Sequence, residues 1–190
     1  MLDPARLLVV AATPRELAPA AGWRSALCGV GPVEAAVATA RAIAEHRPAV
    51  VLHVGIAGAR AARGLAPGAL VIGTAARYCD LAVPEQWAPR RVEPAGWLLE
   101  AARRALPGAA AMEIGTSARV GGTHDVDVEA MEGFAVLRAA AAAGIPAIEV
   151  RAISNAIEEA DRAHWHFDAA FAAITAATPR LVEEVARCAS

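Results

Sequence analysis

The sequence predicts a three-layer α/β/α domain, in which helices cover both faces of a central mixed, mostly parallel sheet. Short apolar runs alternate with longer segments of helical periodicity along the 190 residues, which is the order expected of an α/β protein. The runs are apolar throughout instead of alternating with polar residues, as in strands that are buried on both faces. No repeat, linker or low-complexity stretch interrupts this pattern, so we expect a single domain over residues 1–190.

The first half of the chain contains four predicted strands and one predicted helix. Continuous apolar runs, each followed by turn residues, place the strands at residues 6–12, 26–29, 49–54 and 69–75. The helix begins at Gly31-Pro32 and continues to about residue 46, because proline is favourable in a first helical turn. Its apolar residues fall on one face: Val33, Ala36, Val37, Ala40 and Ile43.

The second half contains the remaining predicted elements. In chain order these are a loop over 81–97, a helix over 98–106, a strand over 113–120, an alanine-rich helix over 129–143, a strand over 147–153, a polar turn over 161–166 and an amphipathic helix over 167–188. Gly144 and Pro146 are a typical end for the alanine-rich helix. Pro179 can break the last helix, because proline removes a backbone donor.

The composition excludes several classes of function. The net charge of −2 offers no basic surface for nucleic acid or for an anionic membrane. All 18 basic residues are arginine, so neither a lysine Schiff base nor a P-loop lysine can operate. Cys28, Cys79 and Cys188 are far apart and show no metal-ligand spacing, so we expect no metal. The dinucleotide-binding pattern is incomplete, and we expect no cofactor. With no signal peptide or spanning segment in the sequence, we expect a cytoplasmic protein.

Glycine and polar residues follow the predicted strands, at the edge of the sheet where α/β proteins bind ligands. We expect these segments to meet in one pocket. They are residues 13–16, 29–31, 55–58, 78–80, 120–122 and 154–155. Two glycines before the first helix also favour an anion or hydroxyl site at Gly31, although the dinucleotide-binding pattern lacks its third glycine.

Two acids near these strand ends are candidates for chemistry. Glu16 closely follows the first strand, where a carboxylate can deprotonate a water molecule; the alternative is an N-terminal helix acid that the helix dipole favours. Glu132 lies among apolar residues at the start of the alanine-rich helix. A partly buried carboxylate there can accept hydrogen bonds from the two hydroxyls of a ribose. The alternative is an acid that caps the helix.

Asn155 and Asp161 lie near the end of the chain's last predicted strand. The Asn155 amide can donate and accept at once, which suits a purine with a carbonyl at position six, whereas an aspartate would suit an aminopurine. The alternative is an asparagine that caps a turn. Asp161 lies in the late polar turn, and His53 is expected to be a buried core histidine.

Taken in order, six segments resemble the nucleoside phosphorylase/hydrolase superfamily. They are VVAATPRELAPA, CGVGPVEAA, HVGIAGA, ARYCDL, VEAMEGFAV and VRAISN, between residues 9 and 155. The resemblance implies a compact variant of the nucleoside phosphorylase-like fold and cleavage of the N-glycosidic bond of a purine nucleoside. The arginine-rich phosphate motifs of the phosphorylases do not occur in the sequence. Glu16 lies where the nucleosidases place a water-activating glutamate, so the resemblance implies a hydrolase.

Two branches of nucleosidases differ at the Ile-Ser-Asn segment. The methylthioadenosine/S-adenosylhomocysteine nucleosidases carry aspartate where this chain has Asn155, and glutamate where it has Ala130. The futalosine hydrolases of the menaquinone pathway are more similar, because they share Met-Glu-Gly-Phe-Ala, Ile-Ser-Asn and a following Asp-Arg-x-x-Trp that begins here at Asp161. Their substrate carries hypoxanthine, a 6-oxopurine, which agrees with the independent interpretation of Asn155.

The resemblance and the strand ends together imply a set of site residues. The expected catalytic residues are Glu16 for water activation, Asn155 for the base, and Asp161 for protonation of the base. The expected substrate-binding residues are Gly31, Ala57, Gly58, Met131, Glu132, Arg151, Ser154, Trp165 and Phe167. Trp165 and Phe167 either form a wall of the pocket or belong to the core. The carboxylate on the 5′ group of futalosine is expected to pair with an arginine of the 77–91 region, namely Arg77, Arg90 or Arg91.

Several alternatives remain open at this point. The chain could be a methylthioadenosine/S-adenosylhomocysteine nucleosidase, another purine nucleosidase or phosphorylase, or a nicotinamide-dependent oxidoreductase. It could also bind a nucleoside without turnover, because two segments are short compared with the family. Residues 13–28 lack room for the usual extra hairpin strand, and residues 120–129 correspond to the region from which the family supplies base-stacking residues. The expected partners are a small-molecule purine nucleoside and further copies of the chain in a dimer or larger homo-oligomer.

Overall fold

The computed structural model describes residues 1–189 as a mixed α/β structure. The strands are β1 (Leu7–Ala11), β2 (Arg24–Leu27), β3 (Val50–Ala59), β4 (Leu70–Tyr78), β5 (Arg91–Val92), β6 (Ala110–Thr116), β7 (Val128–Ala130) and β8 (Ala147–Ala156). The α-helices are α1 (Pro32–His46), α2 (Gly96–Ala105), α3 (Gly133–Ala142) and α4 (Phe167–Cys188). Within these residues, no helix combines the length and the apolar character needed to cross a membrane.

The predicted mixed, mostly parallel sheet is confirmed. The parallel pairings are β1–β2, β1–β3, β3–β8, β4–β6 and β6–β7, and the antiparallel ones are β3–β7, β4–β5 and β4–β8. Because β7 returns to β3, the strands β3, β8, β4, β6 and β7 close into a ring. Register shifts after Ala57 in β3 and after Gly73 in β4 accompany this curvature.

Helices cover both faces of the sheet, as predicted. Alternate residues of β1 enter different cores: Leu7 and Val9 contribute to one, and Leu8 and Val10 to the other. The first core contains residues from α2 and α4, and the second contains residues from α1 and α3. A third cluster, which includes Ile114, fills the ring of strands. Burial on both faces explains why these strands have continuous apolar sequences.

Two predicted boundaries are wrong in ways that affect the functional site. β3 does not stop at residue 54 but continues through its glycines to Ala59, because β8 and β7 supply hydrogen-bond partners there. The predicted helix over 129–143 begins too early, since Val128–Ala130 forms β7 between β6 and β3. Tertiary pairing overrides the local helical pattern in that segment. Glu132 therefore lies at the junction of β7 and α3 instead of within a helix.

Other boundaries shift without moving the site. The strand predicted over 26–29 is β2 at Arg24–Leu27, the strand predicted over 113–120 is β6 at Ala110–Thr116, and the loop predicted over 81–97 contains β5. The expected break at Pro179 is wrong, since α4 is continuous from Phe167 to Cys188. Its apolar face, which includes Ile174 and Leu181, is buried against the first core on both sides of the proline.

The first residues of α3 and α2 give a matched test of the packing between α3 and β8. A Cβ at Gly133 would overlap the buried Glu149 carboxylate of β8, whereas a Cβ at Gly96 would meet nothing within 4 Å. We expect Gly133→Ala to lower the free energy of unfolding by about 1–3 kcal/mol because of overpacking. Gly96→Ala is expected to be neutral or to stabilise by up to about 1 kcal/mol. Urea denaturation measures both, and equal stabilities of the two variants would contradict this packing.

Candidate active site

A cleft of about 270 Å³ opens where the carboxyl ends of β1, β3 and β8 face β7 and the start of α4. This volume is of the order expected for a small-ligand site. Nine of the residues predicted from the sequence line it: Glu16, Ala57, Gly58, Met131, Glu132, Ser154, Asn155, Trp165 and Phe167. The predicted segments 13–16, 29–31, 55–58, 120–122 and 154–155 each contribute a residue to this cleft, as expected for an α/β sheet. The expectation for 78–80 is wrong, because Tyr78 and Cys79 line a separate cavity.

Three of the predicted residues do not line the cleft. Gly31 and Arg151 lie behind it, where the Gly31 N–H donates to Glu132 Oε1 at 3.2 Å and Arg151 Nη2 donates to Glu132 Oε2 at 3.3 Å. Asp161 is exposed outside the lining, and its carboxylate accepts from the Ala163 N–H at 2.9 Å. Asp161 therefore caps the short 3₁₀ turn Arg162–His164.

Glu16 is held rigidly at the edge of the cleft by a short turn after β1. Its Oε2 accepts from the N–H of Thr13 at 2.7 Å and from the Thr13 hydroxyl at 2.8 Å, and its Oε1 accepts from the Ile56 N–H at 3.2 Å. The residue is buried yet lines the cleft. A carboxylate fixed in this way can orient a water molecule and accept its proton.

Glu132 occupies the first position before α3, but its side chain makes no capping hydrogen bond. Glu132 therefore holds the N-cap position that the alternative interpretation assigned to it, but its carboxylate does not cap the helix. Its two oxygens accept instead from Gly31 and Arg151, which belong to distant parts of the chain. Each carboxylate oxygen has a second lone pair, so Glu132 retains the capacity to accept hydrogen bonds from two hydroxyls in the cleft.

Asn155 is fixed by its neighbours at the end of β8. The Ser154 hydroxyl donates to Asn155 Oδ1 at 2.7 Å, and Asn155 Nδ2 donates to the Ala156 carbonyl at 2.8 Å. The second N–H of the amide and a lone pair of its oxygen remain for a ligand. Gly58 makes room for this side chain, since a Cβ there would lie 3.0 Å from Asn155 Nδ2.

Behind the cleft, Arg151 lies at the centre of a buried charge cluster. The guanidinium is 1% exposed, and its Nε donates to Glu149 Oε1 at 2.7 Å. Burial opposes its charge, but the carboxylates of Glu149, Glu132 and Glu16 outweigh burial and raise the pKa of Arg151. Burial also raises the pKa of Glu149, against the attraction of Arg151.

His53 completes the cluster as a neutral side chain. Burial, and then the adjacent Arg151, lower the pKa of His53 well below its usual value. Its Nδ1 lies 3.0 Å from the Val10 carbonyl, and its Nε2 faces Arg151 Nη2 within hydrogen-bond distance. This pattern requires the tautomer in which Nδ1–H donates to Val10 and Nε2 accepts from Arg151. The expectation of a buried core histidine is confirmed.

Sequence reasoning missed several residues of the site. Glu129 lines the cleft and accepts from the N–H and the hydroxyl of Thr123, each at 2.8 Å. The helix predicted over 129–143 hid this acid, which belongs to a buried strand. Phe171 was also missed; its position one turn after Phe167 in an amphipathic helix was the available signal.

Trp165 and Phe167 form a wall of the cleft, so the alternative that they belong wholly to the core is wrong. The arginines considered for a 5′ carboxylate lie elsewhere. Arg77, Arg90 and Arg91 line a separate cavity of about 240 Å³. Arg77 binds the two oxygens of Glu113 at 3.2 and 3.0 Å, and Arg91 Nε donates to the same carboxylate at 2.9 Å.

Comparison with known proteins agrees with this geometry. The sequence profile of the Phosphorylase superfamily matches residues 24–121. The futalosine hydrolase of Streptomyces coelicolor is 36% identical over 84% of this chain and 78% of its own length. The futalosine hydrolase of Thermus thermophilus is 32% identical over 82% of this chain and 79% of its own length. A methylthioadenosine/S-adenosylhomocysteine nucleosidase from Colwellia psychrerythraea, solved in complex with adenine, has the same fold, with a TM-score of 0.83, 18% identity and 94% coverage of both chains.

The buried histidine predicts a specific pH dependence of stability. The pKa of His53 is depressed in the folded state, so its contribution is fully present above the unfolded value near 6.5 and is lost as the pH falls below it. Over that range, one proton corresponds to a slope of about 1.4 kcal/mol per pH unit. We expect the free energy of unfolding of His53→Gln to fall less steeply between pH 6.5 and 5 than that of the unmodified chain, as measured by urea denaturation. His164→Gln, at an exposed histidine, should keep the original slope, and an unchanged slope in His53→Gln would show that His53 is not buried as a neutral group.

Proposed function

Because this chain belongs to the phosphorylase superfamily and, within it, to the futalosine hydrolase family, we propose that it hydrolyses the N-glycosidic bond of futalosine. The products are hypoxanthine and dehypoxanthinyl futalosine, and the reaction belongs to menaquinone biosynthesis. The observation that carries this proposal is the pair of fixed carboxylates, Glu16 and Glu132, that line one cleft with the Asn155 amide. A nucleosidase needs a group for water, a group for the ribose and a group for the base, and these three residues supply them.

The charge of the cleft favours water over phosphate as the attacking group. Glu16, Glu129 and Glu132 line it together with a single arginine, Arg162, so a phosphate anion beside the three carboxylates meets more negative than positive charge. Neutral water meets no such penalty, and Glu16 is positioned to accept its proton. The sequence also lacks the arginine-rich motifs with which the phosphorylases bind phosphate.

In the proposed mechanism, the bond between the ribose C1′ and the purine nitrogen breaks while water attacks C1′. The electron pair of the broken bond goes to the purine, and the ribose passes through a cationic, oxocarbenium-like state. Glu132 accepts hydrogen bonds from the ribose diol, and its negative charge stabilises this cation. Glu16 accepts the proton of the attacking water. Asn155 hydrogen-bonds the departing base at N7 or O6, and a proton from solvent completes the neutral hypoxanthine.

The proposed partner of the protein is a further copy of the same chain. Val30 lines the cleft and is exposed, and the nearby α1 residues Val33 and Val37 are 72% and 66% exposed. An apolar surface beside the mouth of a site is suited to contact between subunits. Light scattering of the purified chain measures the mass of the particle and therefore the number of subunits.

We also propose a cytoplasmic location, which the three free thiols support and which cell fractionation would test.

Replacement of either carboxylate by its amide is expected to impair turnover. Glu16→Gln removes the proton acceptor and should lower the rate of hypoxanthine release from futalosine by about 10²–10⁴-fold. Glu132→Gln removes a charged acceptor for the ribose diol and should cost roughly 10–100-fold in kcat/KM. Glu183→Gln, at an exposed position of α4, is the matched control and should retain full activity. A folded Glu16→Gln or Glu132→Gln variant with unchanged turnover would remove that residue from the mechanism.

Substrate choice is expected to depend on the amide at Asn155. In Asn155→Asp, the acceptor that replaces the amide donor no longer matches O6 of hypoxanthine, and it matches the amino group of adenine better. We expect hypoxanthine release from futalosine to fall by at least about tenfold, and adenine release from methylthioadenosine to rise relative to it. Chromatography of the two free bases measures both. If the unmodified chain already releases adenine faster than hypoxanthine, it is a methylthioadenosine/S-adenosylhomocysteine nucleosidase instead.

A further inference from the structure

Aromatic side chains are rare in this chain but are concentrated along one wall of the cleft. Trp165, Phe167 and Phe171 all line it, and they include two of the chain's three phenylalanines. The ring centroids of Trp165 and Phe167 lie 5.4 Å apart, and those of Phe167 and Phe171 lie 6.1 Å apart. All three side chains are half-buried. We call this row of rings, Trp165–Phe167–Phe171, the aromatic strip.

An arginine lies at each end of the aromatic strip. The Cζ atom of Arg15 is 4.3 Å from the Phe171 ring centroid, and its Nη2 donates to Asp168 Oδ1 at 2.7 Å. The Cζ atom of Arg162 is 5.6 Å from the Trp165 ring centroid. Among residues 1–189, Arg162 makes no ion pair or side-chain hydrogen bond, and no other arginine or lysine lines the cleft. The positive charge of Arg162 is therefore available to a ligand, whereas that of Arg15 is already compensated.

The aromatic strip has no role in the proposed mechanism. Glu16, Glu132 and Asn155 account for water, ribose and base, and none of them belongs to the aromatic strip. A row of half-buried rings offers a planar apolar surface, which suits the face of another aromatic ring. A guanidinium at the edge of that surface suits a carboxylate, which it can bind through two parallel hydrogen bonds.

We propose that the aromatic strip and Arg162 form a subsite for an aryl carboxylate attached to the 5′ carbon of the ribose. The aryl ring lies against the strip, and the carboxylate pairs with Arg162. This inference rests on the proposed function, because it assigns the part of the substrate that extends beyond the nucleoside. It replaces Arg77, Arg90 and Arg91, which line another cavity, as the group that recognises the carboxylate.

Neighbouring contacts hold the subsite in place before a ligand arrives. The Trp165 indole N–H donates to the Glu159 carbonyl at 3.0 Å, which fixes the plane of the ring. Asp161 caps the 3₁₀ turn that begins at Arg162, which fixes the backbone at that arginine. A preformed surface loses little conformational freedom on binding, which favours affinity.

The test compares three substrates that share hypoxanthine and ribose: futalosine, the methyl ester of futalosine, and inosine, which has only a hydroxyl at the 5′ carbon. The unmodified chain should prefer futalosine over its ester, because the ester carries no charge. In Arg162→Ala, kcat/KM for futalosine should fall by roughly 10–100-fold, mainly through KM. The values for the ester and for inosine should change less than about threefold. Arg162→Lys should recover part of the preference for the acid, and Arg180→Ala, at an exposed arginine of α4, should behave as the unmodified chain.

Three other outcomes would each contradict a different part of the proposal. If Arg162→Ala has the same kcat/KM for futalosine as the unmodified chain, Arg162 does not bind the carboxylate, while the proposed hydrolysis stands. If Arg162→Ala loses activity equally on all three substrates, the arginine serves the nucleoside or the fold, and the subsite is wrong. If the unmodified chain hydrolyses inosine but not futalosine, both the proposed function and this inference fail.

Discussion

One buried guanidinium, that of Arg151, connects the parts of this structure that perform its chemistry. It projects from β8, and its partners are Glu149 on the same strand, His53 on β3, and Glu132 at the start of α3. Removing a charge from water costs several kcal/mol, so a buried arginine requires compensating carboxylates. Arg151 therefore holds Glu132 at the cleft wall, and through it the junction between β7 and α3.

The charges around Arg151 do not balance, and the imbalance suits the proposed reaction. Three carboxylates, those of Glu16, Glu132 and Glu149, raise the pKa of this one guanidinium, and neutral His53 adds no positive charge. Burial raises the pKa of Glu149, against the attraction of Arg151. Glu16 and Glu132 still place negative charge at the cleft, where the ribose becomes cationic. Electrostatic stabilisation of that cation is thus built into the sheet before the substrate binds.

Much of the fold and part of the site could be predicted from the sequence, because they follow from patterns of neighbouring residues. Continuous apolar runs indicated strands buried on both faces, and the rule for strand ends brought Glu16 and Asn155 to one cleft. Other features depended on contacts that no local pattern contains. The Gly55–Gly58 segment resembled a turn, but it is strand: a Cβ at Gly55 would overlap the Arg151 guanidinium, and Gly58 makes room for Asn155. Glu129 could not be recognised as a residue of the cleft, because β7 forms only through its pairing with β6 and β3.

If water activated in this cleft releases hypoxanthine from futalosine, the products that the unmodified chain forms will show it most directly. Purified protein would be incubated with futalosine in buffers with and without inorganic phosphate, and the base and the sugar product would be identified by mass spectrometry. We expect hypoxanthine and dehypoxanthinyl futalosine at the same rate in both buffers. A rate that depends on phosphate, or a sugar product that carries a 1-phosphate, would contradict hydrolysis.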